Sequence, residues 1–173
     1  MQRALNKLGF KKELQGVDMA KVSVIMGSKS DLPVMQNCLD ILEEFGVSYE
    51  VKTLSAHRMP EATAEYVKKA KDNGISVIIA AAGLAAHLPG VVASHTELPV
   101  IGVPMDSKPL SGMDALLSIV QMPGGVPVGC MAIGKAGAKN AALYAVQILA
   151  VSDEALGKRF VEYKASMAKG TSK

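Results

Sequence analysis

Tryptophan is absent from this chain, and phenylalanine and tyrosine bring the aromatic share to only 4% of 173 residues. A platform for single-stranded nucleic acid stacks bases on aromatic rings, so that class is disfavoured at once. Cysteine is nearly as scarce. Cys38 and Cys130 lie in apolar surroundings without CxxC spacing, which predicts two buried thiols in a reducing, cytoplasmic setting. Charge of one sign is also lacking: 19 Lys and Arg face 16 Asp and Glu, for a net charge of +3. The cations are spread along the chain, and only short pairs such as Lys68–Lys69 occur. That pattern fits solvated helix faces better than the basic patch of a nucleic-acid binder. No apolar run reaches the ~18–20 residues of a membrane span, and residues 1–18 lack the apolar stretch of a signal peptide. Neither a nucleic acid nor a membrane is expected as partner.

What is present is a chain rich in small and branched apolar residues, 49% hydrophobic and 20% charged, of a length that suits one domain. Residues 1–20 read as an N-terminal extension, disordered or set before the true start of the fold. Residues 21–168 form the expected domain, and 169–173 a short tail. From residue 22 a rhythm appears. VSVIM (22–26), YEVKTL (49–54), SVIIAAA (76–82), PVIGV (99–103) and PVGCMAI (127–133) read as strands. Between and after them lie helical stretches from Ser30-Asp31 to about Phe45, from Pro60, near 111–120, near 138–150 and near 153–168. Pro60 suits a first helical position, where its missing N–H would have no partner anyway.

Strands alternating with helices imply a parallel sheet covered on both faces. Right-handed crossovers give a three-layer αβα sandwich, flavodoxin-like, with strand order 2-1-3-4-5 and a C-terminal helix. In such sheets ligands bind beyond the carboxyl ends of the strands, beside the switch point. GSKSD (27–31) follows the first strand, SAHR (55–58) the second, and AAGLAAHLPG (81–90) continues from the third. In order 2-1-3 these strands are neighbours, so the three segments converge.

GSKSD suits an anion. Gly27 permits close approach, Ser28 and Ser30 offer hydroxyls, and the following helix presents free N–H groups. Asp31 suits ribose hydroxyls; alternatively Ser30 or Asp31 simply caps the helix. In SAHR, Arg58 can grip a phosphate with two N–H groups, with Ser55 beside it. His57 can carry a proton near neutral pH, or it merely fills a turn. Gly83, the small residues beside it and His87 permit a flat ligand or tight helix packing equally, and the residues alone favour packing. His95 reads as a surface residue of a later helix. GCMAIGKA (129–136) begins like a P-loop, but Ala136 stands where Ser or Thr must bind Mg²⁺. No GxGxxG, HExxH, GxSxG or zinc-ligand cluster occurs. These residues point to a site for a small phosphorylated molecule, with His57 as acid and base.

Taken in order, GSKSD, SAHRMP, AAHLPG, ALLSIVQMPGGVPV and AIGKAGAKNAAL resemble the N5-carboxyaminoimidazole ribonucleotide mutase family of de novo purine (IMP) biosynthesis, from about residue 21 to 165. The resemblance implies an isomerase that moves a carboxylate from the exocyclic N5 nitrogen to carbon 4 of the imidazole, without ATP, metal or organic cofactor. It implies His57 as proton carrier, Ser28, Ser30, Ser55 and Arg58 on the phosphate side, and Asp31 at the ribose. Ala82, Gly83 and the backbone through His87 and Leu88 would form the pocket for the base and carbon dioxide. A homo-octamer is implied too, with Ser111, Gly112 and Gln121 as interface candidates, or as ordinary packing within the chain.

Three positions depart from the family pattern: Met59 where Thr is usual, and Ala81 and Leu84 where GAGGAAHLPG is usual. Leu84, beside the implied base pocket, matters most. Two rivals remain at this level. The sister activity carboxylates aminoimidazole ribonucleotide directly with free carbon dioxide, but that branch tends to carry SAHK. A non-catalytic nucleotide-binding module on the same fold would have no need of a proton carrier. A flavodoxin-type electron carrier is a poor third, given so few aromatics.

Overall fold

The computed structural model describes residues 21–170; the expected extension and residues 171–173 of the expected tail lie outside them. Strands β1 (Lys21–Met26), β2 (Tyr49–Thr53), β3 (Ile75–Ala82), β4 (Val100–Pro104) and β5 (Gly129–Cys130) form one sheet, ordered β2-β1-β3-β4-β5. Every pairing is parallel. The helices are α1 (Leu32–Glu44), α2 (Pro60–Lys69), α3 (Leu88–Ala93), α4 (Met113–Val120), α5 (Gly134–Ala150) and α6 (Glu154–Ala168). This is the sandwich and the strand order that the sequence predicts.

Central strands buried on both sides explain the continuous apolar runs. Because side chains alternate along a strand, Val77, Ile79 and Ala81 of β3 join one core with Met35, Cys38 and Leu42 of α1 and Ala141, Ala142 and Ala145 of α5. Ile78, Ala80 and Ala82 join the other core, with Val67 of α2, Val92 of α3 and Ile119 of α4. Gly102 lets α4 lie directly on β4, since a Cβ there would run into Ile119. The aromatic residues Phe45, Phe160 and Tyr163 cluster where α6 closes over the first core, with Phe45 and Tyr163 edge to face at 5.3 Å.

Four expectations need correction. The fifth strand is only two residues long, not 127–133. Its pairing is confined to Ile101–Gly129 and Gly102–Cys130, and the chain soon turns through Gly134, φ +73°, into a helix that starts at 134 and not near 138. The helix after β3 stops at Ala93, so His95 lies half-buried in the turn beyond it and not on a helix surface. Cys38 is buried, and burial pushes its thiol up to about 12. Cys130, in contrast, is only half-buried because its short edge strand has a neighbour on one side alone.

Candidate active site

The strands end level. Met26 pairs with Thr53 on one side and Ala81 on the other, and Ala82 pairs with Pro104. The loops that leave these ends therefore meet, and between them opens a cleft of about 670 Å³. Ser28, Ser30 and Asp31 line it from the loop after β1, and Ser55, His57 and Arg58 from the loop after β2. Ala82, Gly83, His87 and Leu88 line it from β3 and the loop beyond. All the residues expected at a site are thus brought together.

In the first loop GSKSD forms a cap, with Ser28 in the capping position and not Ser30 or Asp31. Asp31 Oδ2 accepts from the Ser28 backbone N–H at 3.1 Å, and Ser28 Oγ accepts from the Ser30 N–H at 3.3 Å. This reciprocal pair, a capping box, shapes the single 3-10 turn that leads into α1. Ser30 Oγ donates to Ser28 Oγ at 2.8 Å and to Asp31 Oδ1 at 3.4 Å. Burial holds the Asp31 carboxyl above its ordinary range, partly offset by the bonds from Ser28 and Ser30. An acceptor that is costly to ionise here, and already oriented, is suited to receive hydroxyl donors from a ligand.

Arg58 ties the second loop to the first. Its Nη2 donates to the Gly27 carbonyl at 3.0 Å and its Nε to Ser55 Oγ at 3.3 Å. The Arg58 backbone N–H also donates to Ser55 Oγ at 3.3 Å. These bonds fix the plane of the guanidinium while its remaining N–H groups stay available to the cleft. Alongside, His57 Nε2 and His87 Nδ1 lie 2.7 Å apart, with the two rings perpendicular. One nitrogen carries the proton and the other accepts it, so the tautomers of the two rings are linked.

The loop after β3 is pinned on both flanks. The Met105 N–H donates to the Ala82 carbonyl at 2.9 Å, and the His87 N–H to that of Ala85 at 2.8 Å. Gly83 fits tightly, since a Cβ there would lie 3.3 Å from that of Met105. Leu84 has φ +56°, a left-handed conformation that costs a residue with a Cβ roughly 1–2 kcal/mol. The backbone takes a conformation that glycine adopts freely, and the leucine side chain forms part of the wall of the cleft.

The sequence reading missed a fourth contributor. Met105, Asp106, Ser107, Lys108 and Pro109, after β4, close the cleft on the far side. The same carboxyl-end rule that singled out the first three loops would have found it, because PVIGV is followed, after Pro104 and Met105, by a polar Asp-Ser-Lys. Ser107 Oγ donates to Asp114 of α4 at 3.2 Å, which holds this loop to the next helix. Beyond the cleft, Ser111 has φ +50° and is exposed, and Gln121 is exposed at the end of α4. Gly112 is buried within the chain, where a Cβ would crowd Ile133 at 2.6 Å.

A parallel α/β sandwich whose carboxyl-end cleft joins an arginine-serine cradle to a paired histidine belongs to the nucleotide-processing class of this architecture. Comparison with known proteins narrows the class. The chain belongs to the AIR carboxylase family, which matches residues 21–170. Among its curated relatives is N5-carboxyaminoimidazole ribonucleotide mutase of Vibrio parahaemolyticus, 60% identical over 136 residues, or 79% of this chain and 84% of the relative. The protein of that name from Bacillus subtilis is 59% identical over 141 residues, covering 82% and 87%. Among solved structures, Treponema denticola PurE superposes with a TM-score of 0.80 at 27% identity, over 87% of this chain and 93% of that one.

Proposed function

We propose that this protein is an isomerase that converts N5-carboxyaminoimidazole ribonucleotide to 4-carboxy-5-aminoimidazole ribonucleotide in purine biosynthesis. Relatives 55–60% identical to it over the aligned residues carry the mutase name, and the family covers all the described residues. The observation that carries the chemistry is the junction of His57 and His87, 2.7 Å apart, with the Arg58–Ser55 cradle in the same cleft.

Ser28, Ser30, Ser55 and Arg58 hold the phosphate, and Asp31 accepts from the ribose hydroxyls. Ala82, Gly83 and the segment through His87 and Leu88 receive the base. In the first half-reaction the N5–carboxylate bond breaks, His57 protonates the nitrogen, and carbon dioxide and the amine remain in the cleft. In the second, C4 attacks carbon dioxide and its proton returns to His57. One proton leaves the histidine and one comes back, so the transfer balances within a single nucleotide and a single general acid–base suffices. His87 holds the His57 ring in orientation through their shared hydrogen bond.

Direct carboxylation by free carbon dioxide is the second reading; the family description names a carboxylase, while the relatives' names support the mutase. Purified protein supplied with N5-carboxyaminoimidazole ribonucleotide alone, and separately with aminoimidazole ribonucleotide and modest carbon dioxide, discriminates the two. The mutase forms the C4-carboxylated product rapidly from the first only. His57→Asn keeps ligand binding and loses most turnover, by the roughly 10²–10⁴-fold that a positioned acid–base contributes. Near-normal turnover in that variant would exclude His57 as the proton carrier.

The same reading makes the enzyme a cytoplasmic homo-octamer. Free thiols at Cys38 and Cys130 suit a reducing compartment. Met113, Leu117 and Val120 stand about half exposed on one side of α4, an apolar stripe that suits burial against another copy.

A further inference from the structure

Three large apolar side chains line the cleft. Leu88 and Met105 are 3% and 4% exposed, and so belong to the core; Leu84 is 55% exposed. Its backbone is left-handed, at φ +56°, and the loop that carries it is fixed by the Met105–Ala82 and His87–Ala85 hydrogen bonds. The leucine is therefore unfavourable on two counts, in a strained backbone and in water, and nothing among the described residues covers it. Apart from the small Ala85 and Pro109, the other exposed side chains of the wall are polar: Ser30, His57, Arg58, His87, Asp106 and Lys108. A single large apolar group is thus set in a polar rim, separated by the two small residues Ala85 and Ala86 from His87, the partner of the proton carrier.

We propose that Leu84 is a commitment residue: it covers the base once the nucleotide is bound and retains carbon dioxide between the two half-reactions. The proposal rests on the carboxylate-transfer reading given above. After the N5–carboxylate bond breaks and the nitrogen takes its proton, two fates are open. C4 captures carbon dioxide and gives its proton to His57, or the gas escapes and the enzyme releases aminoimidazole ribonucleotide. The second outcome consumes one proton from solvent and yields carbon dioxide, and so balances without any other reactant. An apolar side chain over the cleft favours capture, because carbon dioxide is itself apolar and water is kept from replacing it.

The test measures both products from N5-carboxyaminoimidazole ribonucleotide in buffer purged of carbon dioxide, with uncatalysed decarboxylation subtracted. The wild-type chain is compared with Leu84→Gly and Leu84→Ala. In both variants the ratio of released amine to C4-carboxylated product rises about tenfold, the factor expected when about 1.4 kcal/mol of apolar contact is lost. Restoring dissolved carbon dioxide lowers the ratio again. Leu84→Gly also melts no lower than wild type, because glycine relieves the left-handed backbone; this separates a lost gate from a damaged fold. An unchanged ratio in both variants, with a wild-type chain that turns over, overturns the role of Leu84 alone. A wild-type chain that makes no C4-carboxylated product from this substrate overturns the carboxylate-transfer reading, and this proposal with it.

Discussion

Asp31 occupies two roles whose demands differ. Its carboxylate completes the turn that presents Ser28 and Ser30, and it lines the cleft, where the proposed function assigns it to a ribose. Because burial raises its pKa, the folded chain holds this proton at pH values where the unfolded chain has released it. The unfolded state then binds fewer protons, so the Asp31 contribution to stability declines as pH rises from the ordinary value of 3.8 through the raised folded value. At neutral pH the ionised group is a burden to folding, tolerated for binding. Asp31→Asn keeps an acceptor for the Ser28 N–H and removes the charge. Its melting temperature at pH 7 should equal or exceed that of wild type, while nucleotide affinity by calorimetry falls about tenfold, as for a hydrogen bond to a charged group. A variant that melts several degrees lower with unchanged affinity would show that Asp31 is structural only. Much of this site was legible because Ser28, Asp31, His57 and Arg58 stand in short polar breaks after apolar runs. The His57–His87 bond spans 30 positions and leaves no mark on local pattern, so only folding exposes it.

At the scale of elements, α2 is the weakly finished one. It opens with Met59 as its cap, and Met59 makes no side-chain bond to the first turn. Pro60 at the first position and Glu61 in the first turn provide the remaining start signals. Threonine at 59 would accept from an unpaired N–H of that turn. Met59→Thr should therefore add about 1 kcal/mol and raise the melting temperature by roughly 2–4 °C for a chain of this length. A scanning calorimetry trace with no upward shift would show that the backbone at 59, with φ −138° and ψ 51°, does not bring the hydroxyl within reach. Elements set by long periodic patterns were readable in advance: β1, β3, β4 and α6 fall within a residue or so of expectation. The failures fall where pairing decides. Residues 127–133 have the composition of a strand, yet at a sheet edge only two of them pair in register with β4. The short α3 has a similar cause, for Ser94 and His95 turn the chain toward β4.

For the molecule as a whole, the unpaired feature is the outer side of α4. Met113, Leu117 and Val120 recur at intervals of four and three, the spacing of one helix face, and Leu110 just before them is exposed as well. Leu117→Glu places a charge in that stripe without touching the buried Ala115 and Ile119 on the opposite side. Sedimentation should then show a smaller assembly at micromolar concentration, with the circular dichroism of a folded chain. An unchanged sedimentation coefficient would direct the search for the subunit contact elsewhere. Assembly and chemistry can be probed separately in this way because of where the cleft takes its walls. Every residue that lines it falls between Gly27 and Pro109, while α5 and α6, from Gly134 onward, supply packing to a single face of the sheet. The last quarter of the chain can therefore vary in sequence under selection for oligomer geometry or thermal tolerance without retuning the reaction. In a saturation-mutagenesis map the two kinds of constraint would occupy separate stretches of the gene.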